Sequence, residues 1–311
     1  MNTYVNRLFL LIIALVIPSG CAVGPDFQKP DPPVPDRYTE APMPSHTAVS
    51  PSQAGDAQKF AFAEDLQGDW WKLFGSPQLD EMIKEGLKRN PSLTAAQAAL
   101  TKAFEDLRAI RGAIVFPAVN AGLQASRQRT SGNVNMGESN TYNLYNASVG
   151  VSYTLDIFGG GRRQMESYQA QIDYQRFVYE ATYLTLTANI VTTAIAEASL
   201  RTQIAATREM ISTEQKQLDV LNHQFELGAV SRASVLSQET QLAMALAGLP
   251  PLEKQLDLTR HALAVLIGQY PGEAKTPVLN LDSLQLPKEL PVSLPSHLAR
   301  QRPDVQAAEA L

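Results

Sequence analysis

The chain has 311 residues, 44% of them hydrophobic and 18% charged, enough for two ordinary domains. A formal charge of −5, with no basic run longer than Arg162-Arg163, excludes the basic face of a nucleic-acid binder. A single cysteine, Cys21, excludes an internal disulfide.

Arg7 precedes an apolar run over residues 8–17. Ten residues are too few to span a bilayer as a helix and fit a secretory signal over residues 1–20. Cys21 closes that segment, and Gly20-Cys21-Ala22 resembles a bacterial lipoprotein processing site. Pro18 departs from it, since such sites usually carry an aliphatic residue there. The other reading is a free thiol in an ordinary signal peptide. A cysteine bearing several acyl chains would hold the chain at a membrane by the burial of its methylenes. Ala22, rather than Asp, resembles lipoproteins sent on to the outer membrane.

Residues 21–60 hold eight prolines from Pro25 to Pro51 and predict an extended tether. Trp70 and Trp71 cannot share a helix face, so one of them anchors the tether to the body or packs in the core. Ser76-Pro77 followed by Leu79, Met82, Ile83 and Gly86 predicts an amphipathic helix with proline in its first turn. Asn90-Pro91 ends it, and an alanine-rich helix follows to about Arg111, so that residues 77–111 are helical.

Strands come next, with strict apolar/polar alternation over 115–125 and 145–155 inside a hairpin spanning 113–156. Each stretch has eleven residues, and a transmembrane β-strand needs about 9–11. Tyr145 and Tyr153 on the odd, outward face suit the aromatic girdle of a membrane barrel. Residues 127–143 read as a long exposed loop. A soluble half-buried hairpin shows the same alternation, but the export signal, the small polar inward residues and the next element favour a barrel.

That element is a stretch of 66 residues, 162–227, without proline or glycine. As one helix it would be roughly 100 Å long. Tyr179, Tyr183, Leu186 and Ile190 continue into Leu200, Ile204, Ile211, Leu218, Leu221 and Phe225 as one apolar stripe. Phe177, Leu184, Val191, Ala198 and Ala205 form another. One stripe suits a two-stranded coiled coil; two stripes predict neighbours on both sides, as in a helical wall. Gly228 stops the helix and Ser231 caps a returning helix over 231–268, which Pro250-Pro251 should kink or interrupt.

Residues 89–98 echo 301–310 at an offset of 212. Residues 61–295 therefore read as a first repeat, and 296–311 as the start of a second that is cut off. His46, His223, His261 and His297 have no ligand spacing, and Gly159-Gly160-Gly161 lacks the Lys-Ser/Thr of a phosphate loop. Glu197 and Glu209 read as solvated or lumen-facing. No metal, cofactor or catalytic constellation is expected, and the chain does not read as an enzyme.

Several motifs in this order resemble the TolC-like outer-membrane efflux family, in its lipoprotein (NodT-type) branch. They are Cys21-Ala22-Val23-Gly24-Pro25-Asp26-Phe27, Trp70-Trp71-Lys72-Leu73-Phe74, Asn90-Pro91 and Tyr153-Thr154-Leu155-Asp156-Ile157-Phe158-Gly159. Phe225-Glu226-Leu227-Gly228-Ala229-Val230-Ser231 and Arg302-Pro303-Asp304 complete the set. The resemblance implies an α+β membrane protein in which strands of an outer-membrane β-barrel join a long periplasmic α-helical barrel, built from an internal repeat.

It further implies a homotrimer in outer-membrane lipid, lipidated at Cys21. Such a trimer forms the passive exit duct of a tripartite efflux system, with a periplasmic adaptor and an inner-membrane RND pump as partners. The hairpin tip at Phe225, Gly228, Ser231 and Ser234 would meet the adaptor; Ser234 stands where relatives often carry Asp, which removes a charge. A periplasmic helical scaffold lipoprotein without a pore and a type I protein-secretion duct are the alternatives. Two strands per protomer would give a trimer six, below the roughly eight of the smallest barrels, so this length alone is expected not to make a working channel.

Overall fold

The computed structural model describes residues 23–29, 31, 40–50, 55–62, 68–131, 137, 139–293 and 295–311. Cys21 and the signal segment lie outside them. The chain divides into two units: Ala99–Gln175 with residues 1–29 and the last two residues, and Pro30–Ala98 with Arg176–Glu309.

The second unit holds the core. Strand β1 (Lys59–Phe62) leads to a 3-10 turn at Trp70–Phe74 and then to helix α1 (Pro77–Arg89). Ser76 caps α1 by accepting the Leu79 N–H at 3.3 Å, with Pro77 at the first helical position. The i, i+3, i+4, i+7 set Leu79, Met82, Ile83 and Gly86 forms the buried face. Trp71 is buried in the same cluster and its indole N–H donates to Asp80 at 3.1 Å. Core packing is thus the role of Trp71, while Trp70 packs edge-on against it at 6.3 Å.

Helix α2 (Pro91–Val115) starts one residue later. Asn90 is more than a breaker. Its Oδ1 accepts the Ser92 N–H at 2.9 Å, and its Nδ2 donates 3.0 Å to the carbonyl of Leu266. One buried side chain so caps α2 and ties it to a helix far away in sequence.

Helix α3 (Gly160–Glu226) is 67 residues long, starting two residues before and ending one residue before the expected span. Leu186, Ile190, Ala194 and Ala198, spaced by four, face the core of the second unit together with Val191. Of the second stripe, Val191 and Ala198 are buried, while Leu184 and Ala205 are exposed. Helix α4 (Arg232–Leu266) returns beside α3. Of the two expected effects, kink or interruption, Pro250 and Pro251 do not produce the interruption. The carbonyls they leave unpaired belong to Leu246 and Ala247, both exposed, where water can satisfy them. Beyond it, β4 (Glu289–Val292) pairs in parallel with β1, and α5 (Pro295–Gln301) and α6 (Pro303–Ala310) follow.

The first unit holds the hairpin. Strands β2 (Ala118–Thr130) and β3 (Asn140–Ser152) are antiparallel, thirteen residues each. Both lie nearer the connecting loop than the sequence alternation suggests. Helix α2 runs on to Val115 and takes the start of the expected first strand. At the other end the ladder continues through polar pairs such as Arg127 with Asn143 and Arg129 with Thr141. Backbone pairing does not need apolar side chains, and Tyr142 adds a hydroxyl bond to Gln128 at 2.9 Å. Residues 153–155 are not strand.

Candidate functional site

The register of the hairpin brings the two alternations into phase. Val119 sits opposite Val151, Ala121 opposite Val149, Leu123 opposite Ala147 and Ala125 opposite Tyr145. The other face carries Asn120 with Gly150, Gly122 with Ser148, and Gln124 with Asn146. One face is apolar, the other small and polar. Neither is covered: Leu123 is 90% exposed, Tyr145 76% and Val149 75%. Among the described residues no third strand pairs with either edge. An isolated two-stranded hairpin is marginal in water, and free edges invite further strands.

Where the hairpin meets α3, Asp156 holds the turn. Its carboxylate accepts the Arg162 N–H at 3.0 Å. Burial pushes its pKa up, but the N–H groups of Arg162 and Gly161, the Arg162 charge and the Gly160 N–H together outweigh that and hold it below the ordinary value. A Cβ on Gly161 would lie 2.7 Å from Ile114 Cγ2 and 3.2 Å from Asp156 Oδ2. The glycine run is therefore a helix start that needs close approach.

At the α3–α4 tip, Gly228 adopts φ +74°. Its N–H bonds the Phe225 carbonyl at 2.9 Å, and that of Ala229 bonds Gln224 at 2.8 Å, the paired bonds of a Schellman cap. Ser231 Oγ accepts the Ser234 N–H at 3.3 Å and lies 3.1 Å from Ser234 Oγ. Ser234 thus completes the cap. Below the tip, Leu218, Val235 and Leu242 form a buried cluster, and Gln238 Nε2 donates to the Glu214 carbonyl at 3.1 Å.

The sequence reading missed Arg232, whose guanidinium lies 5.8 Å from the Phe225 ring centroid. Spacing along the chain gives no sign of it, because the contact exists only once the turn folds back. Leu227, 72% exposed, also stands at the tip.

Glu197 corrects an expectation. It is buried, not solvated or lumen-facing, and its two oxygens accept from Arg201 Nε and Arg260 Nε, each at 3.0 Å. Arg201 also donates to the Leu279 carbonyl. The carboxylate joins α3, α4 and the chain beyond α4. A buried charge survives only with such partners. Glu209 is exposed as expected. No helix among the described residues is long and apolar enough to cross a membrane, and none of them form a cluster of three or more His, Cys, Asp or Glu that could hold a metal ion.

A bare two-faced hairpin feeding a 67-residue helix and its returning partner defines the fold class of outer-membrane efflux channels. The solved outer-membrane channel OprN superimposes with a TM-score of 0.77 at 24% identity, over 93% of this chain and 61% of that one. The sequence profile of the outer membrane efflux protein family matches residues 82–269, and the chain belongs to that family. Its place is accordingly the outer membrane.

Among relatives, the probable efflux pump outer membrane protein TtgC of Pseudomonas putida is 31% identical over 313 residues, covering 98% of this chain and 61% of its own length. Nodulation protein T of Rhizobium leguminosarum bv. viciae is 28% identical over 312 residues, covering 97% and 58%. The chain thus spans about three fifths of the length of these relatives.

Proposed function

We propose that this chain is a subunit of the outer-membrane exit duct of a tripartite efflux system. It passes small molecules passively, with energy supplied by an inner-membrane RND pump through a periplasmic adaptor. The observation that carries the reading is the hairpin, with in-phase apolar and polar faces, both bare, and two unpaired edges. Thirteen residues per strand exceed the roughly 9–11 that cross a bilayer. In lipid every strand edge must be closed, so such a hairpin needs further strands, and the proposed assembly is a homotrimeric barrel of two repeats per protomer continued by a helical barrel.

Cys21 is proposed as the lipid-modified residue that holds the chain to the outer membrane. Phe225, Gly228, Ser231 and Ser234, joined by Arg232, are proposed as the surface that meets the adaptor. The Ser-capped tip carries no carboxylate at position 234, so shape and the exposed Leu227 would dominate that contact. Residues 61–295 are proposed as one structural repeat and 296–311 as the opening of a second; α5 and α6, split by Arg302 before Pro303, repeat the α1–Asn90–α2 junction. Matches to relatives named as antibiotic and toluene efflux pump outer membrane proteins support small organic cargo.

The test is expression of the natural full-length protein in a cell lacking its own outer-membrane efflux component, read by intracellular accumulation of a fluorescent dye. Lower accumulation, lost with Gly228→Val, is expected. Unchanged accumulation by protein that is present in the outer membrane overturns the reading.

A further inference from the structure

The chain shortly after Cys21 is fastened to the turn between β3 and α3. The Val23 N–H donates to the Phe158 carbonyl at 3.2 Å. Arg163 Nη2 donates to the Gly24 carbonyl at 3.1 Å and to Asp26 Oδ1 at 2.8 Å. Its Nη1 donates to Glu166 Oε2 at 2.7 Å, which orients the guanidinium across the first turn of α3. A planar group with several donors can hold a backbone carbonyl and a carboxylate at once, which a lysine cannot do with the same geometry. The turn itself is stiffened by Asp156, as described above.

The same turn is apolar and bare. Tyr153, Leu155, Ile157 and Phe158 are 53%, 69%, 68% and 74% exposed, and Val23, hydrogen-bonded to Phe158, is 70% exposed. No Lys, Arg, Asp or Glu other than Asp156 lies between residues 140 and 161. Aromatic and aliphatic side chains just past the end of a membrane strand fit the boundary between headgroups and acyl chains. Exposed apolar side chains grouped at one turn fit a binding surface.

We infer that Arg163 is a latch that fixes residues 23–26 onto the strand-to-helix turn, and that the latched turn is a lipid-contacting apron through which residue 21 enters the membrane. The inference rests on the lipid reading of Cys21 given under Proposed function. Arg163 is a positioning residue. It leaves one residue between the anchor and the latched segment, so the acyl chains enter the membrane at the level where β3 leaves it. Without the latch nothing would hold the anchor at the level of the turn.

The test is a charge-swap cycle on the full-length protein in detergent micelles, read by amide hydrogen exchange of the peptide containing Val23, with intact mass taken on the same samples. Arg163→Asp and Asp26→Arg are each expected to speed exchange about 3- to 10-fold, the loss of one or two hydrogen bonds of ordinary strength. The double variant restores the ion pair but not the bond to the Gly24 carbonyl, so it is expected to restore part of the protection. Equal exchange in all four proteins, or single variants that the double does not rescue, overturns the latch. Cys21→Ser, which removes any acyl chain, is expected to keep the protection; its loss there would assign the hold to lipid and overturn the role of Arg163. A native mass without acyl chains, with the cycle intact, overturns the anchor reading and leaves the latch standing.

Discussion

Replacing Glu197 by alanine should destabilise the second unit by about 2–3 kcal/mol. A buried ion pair that loses one partner costs about 3–5 kcal/mol, because the remaining charge is left without compensation. Here the carboxylate is 8% exposed and holds two arginines at 3.0 Å each. The Arg201 side chain is 23% exposed and that of Arg260 45%. Water therefore screens much of the Arg260 contact, and Arg201 keeps its bond to the Leu279 carbonyl, so the expected cost falls just below that range. The assay is guanidinium unfolding of the detergent-solubilised protein followed by far-UV circular dichroism. Glu209→Ala serves as the exposed control and should stay within about 0.5 kcal/mol of the parent. A Glu197/Arg201 double-mutant cycle should return a coupling of about 1 kcal/mol or more. Equal midpoints for Glu197→Ala and Glu209→Ala would refute the buried clamp.

Three further outcomes are expected. Ser231→Ala should cost about 1 kcal/mol and speed amide exchange at Ser234, since the cap hydroxyl is removed. Gly268→Ala should cost more than about 2 kcal/mol in the same unfolding assay: Gly268 sits at φ +75°, and a Cβ there would lie 2.6 Å from Arg89 Cβ and 2.7 Å from the Arg89 carbonyl oxygen. The third concerns pH. The Lys84 ammonium and then the Trp71 indole N–H hold the Asp80 carboxyl below its ordinary value. A folded carboxyl that titrates below its unfolded counterpart adds stability above about pH 4, and that stability is lost as pH falls through the lower folded value. Indole fluorescence should report this acid step, and Asp80→Asn should abolish it.

The long helix was legible because nothing in residues 162–227 can break one, and the caps at Gly228 and Ser231 because each uses a local backbone bond that sequence spacing encodes. The hairpin was legible in kind but not in extent. Apolar alternation marks where side chains have a buried or lipid-facing side, whereas the ladder is set by backbone pairing and runs on through Arg127 and Arg129. At Pro250-Pro251 the choice between kink and interruption was not legible, because the cost of proline depends on whether the freed carbonyls can reach water, a matter of which face they occupy. Glu197, Asn90 and Arg232 were misread or missed for a common reason. Each acts on a group 63, 176 or 7 residues away, across a chain reversal that local pattern does not place. Of the tip, the capping residues could be read from the sequence; the arginine stacked on Phe225 could not.

The central claim is that β2 and β3 cross the outer membrane with their odd residues toward lipid. It is tested most directly by single-cysteine scanning of Val119–Gln124 and Asn146–Val151 in whole cells, against a chain whose only native cysteine is Cys21. The account predicts a period of two: a water-soluble maleimide labels Asn120, Gln124, Asn146 and Ser148 positions and spares Val119, Leu123, Val149 and Val151. Uniform labelling along both strands, with no alternation, would contradict it and leave a hairpin standing in water.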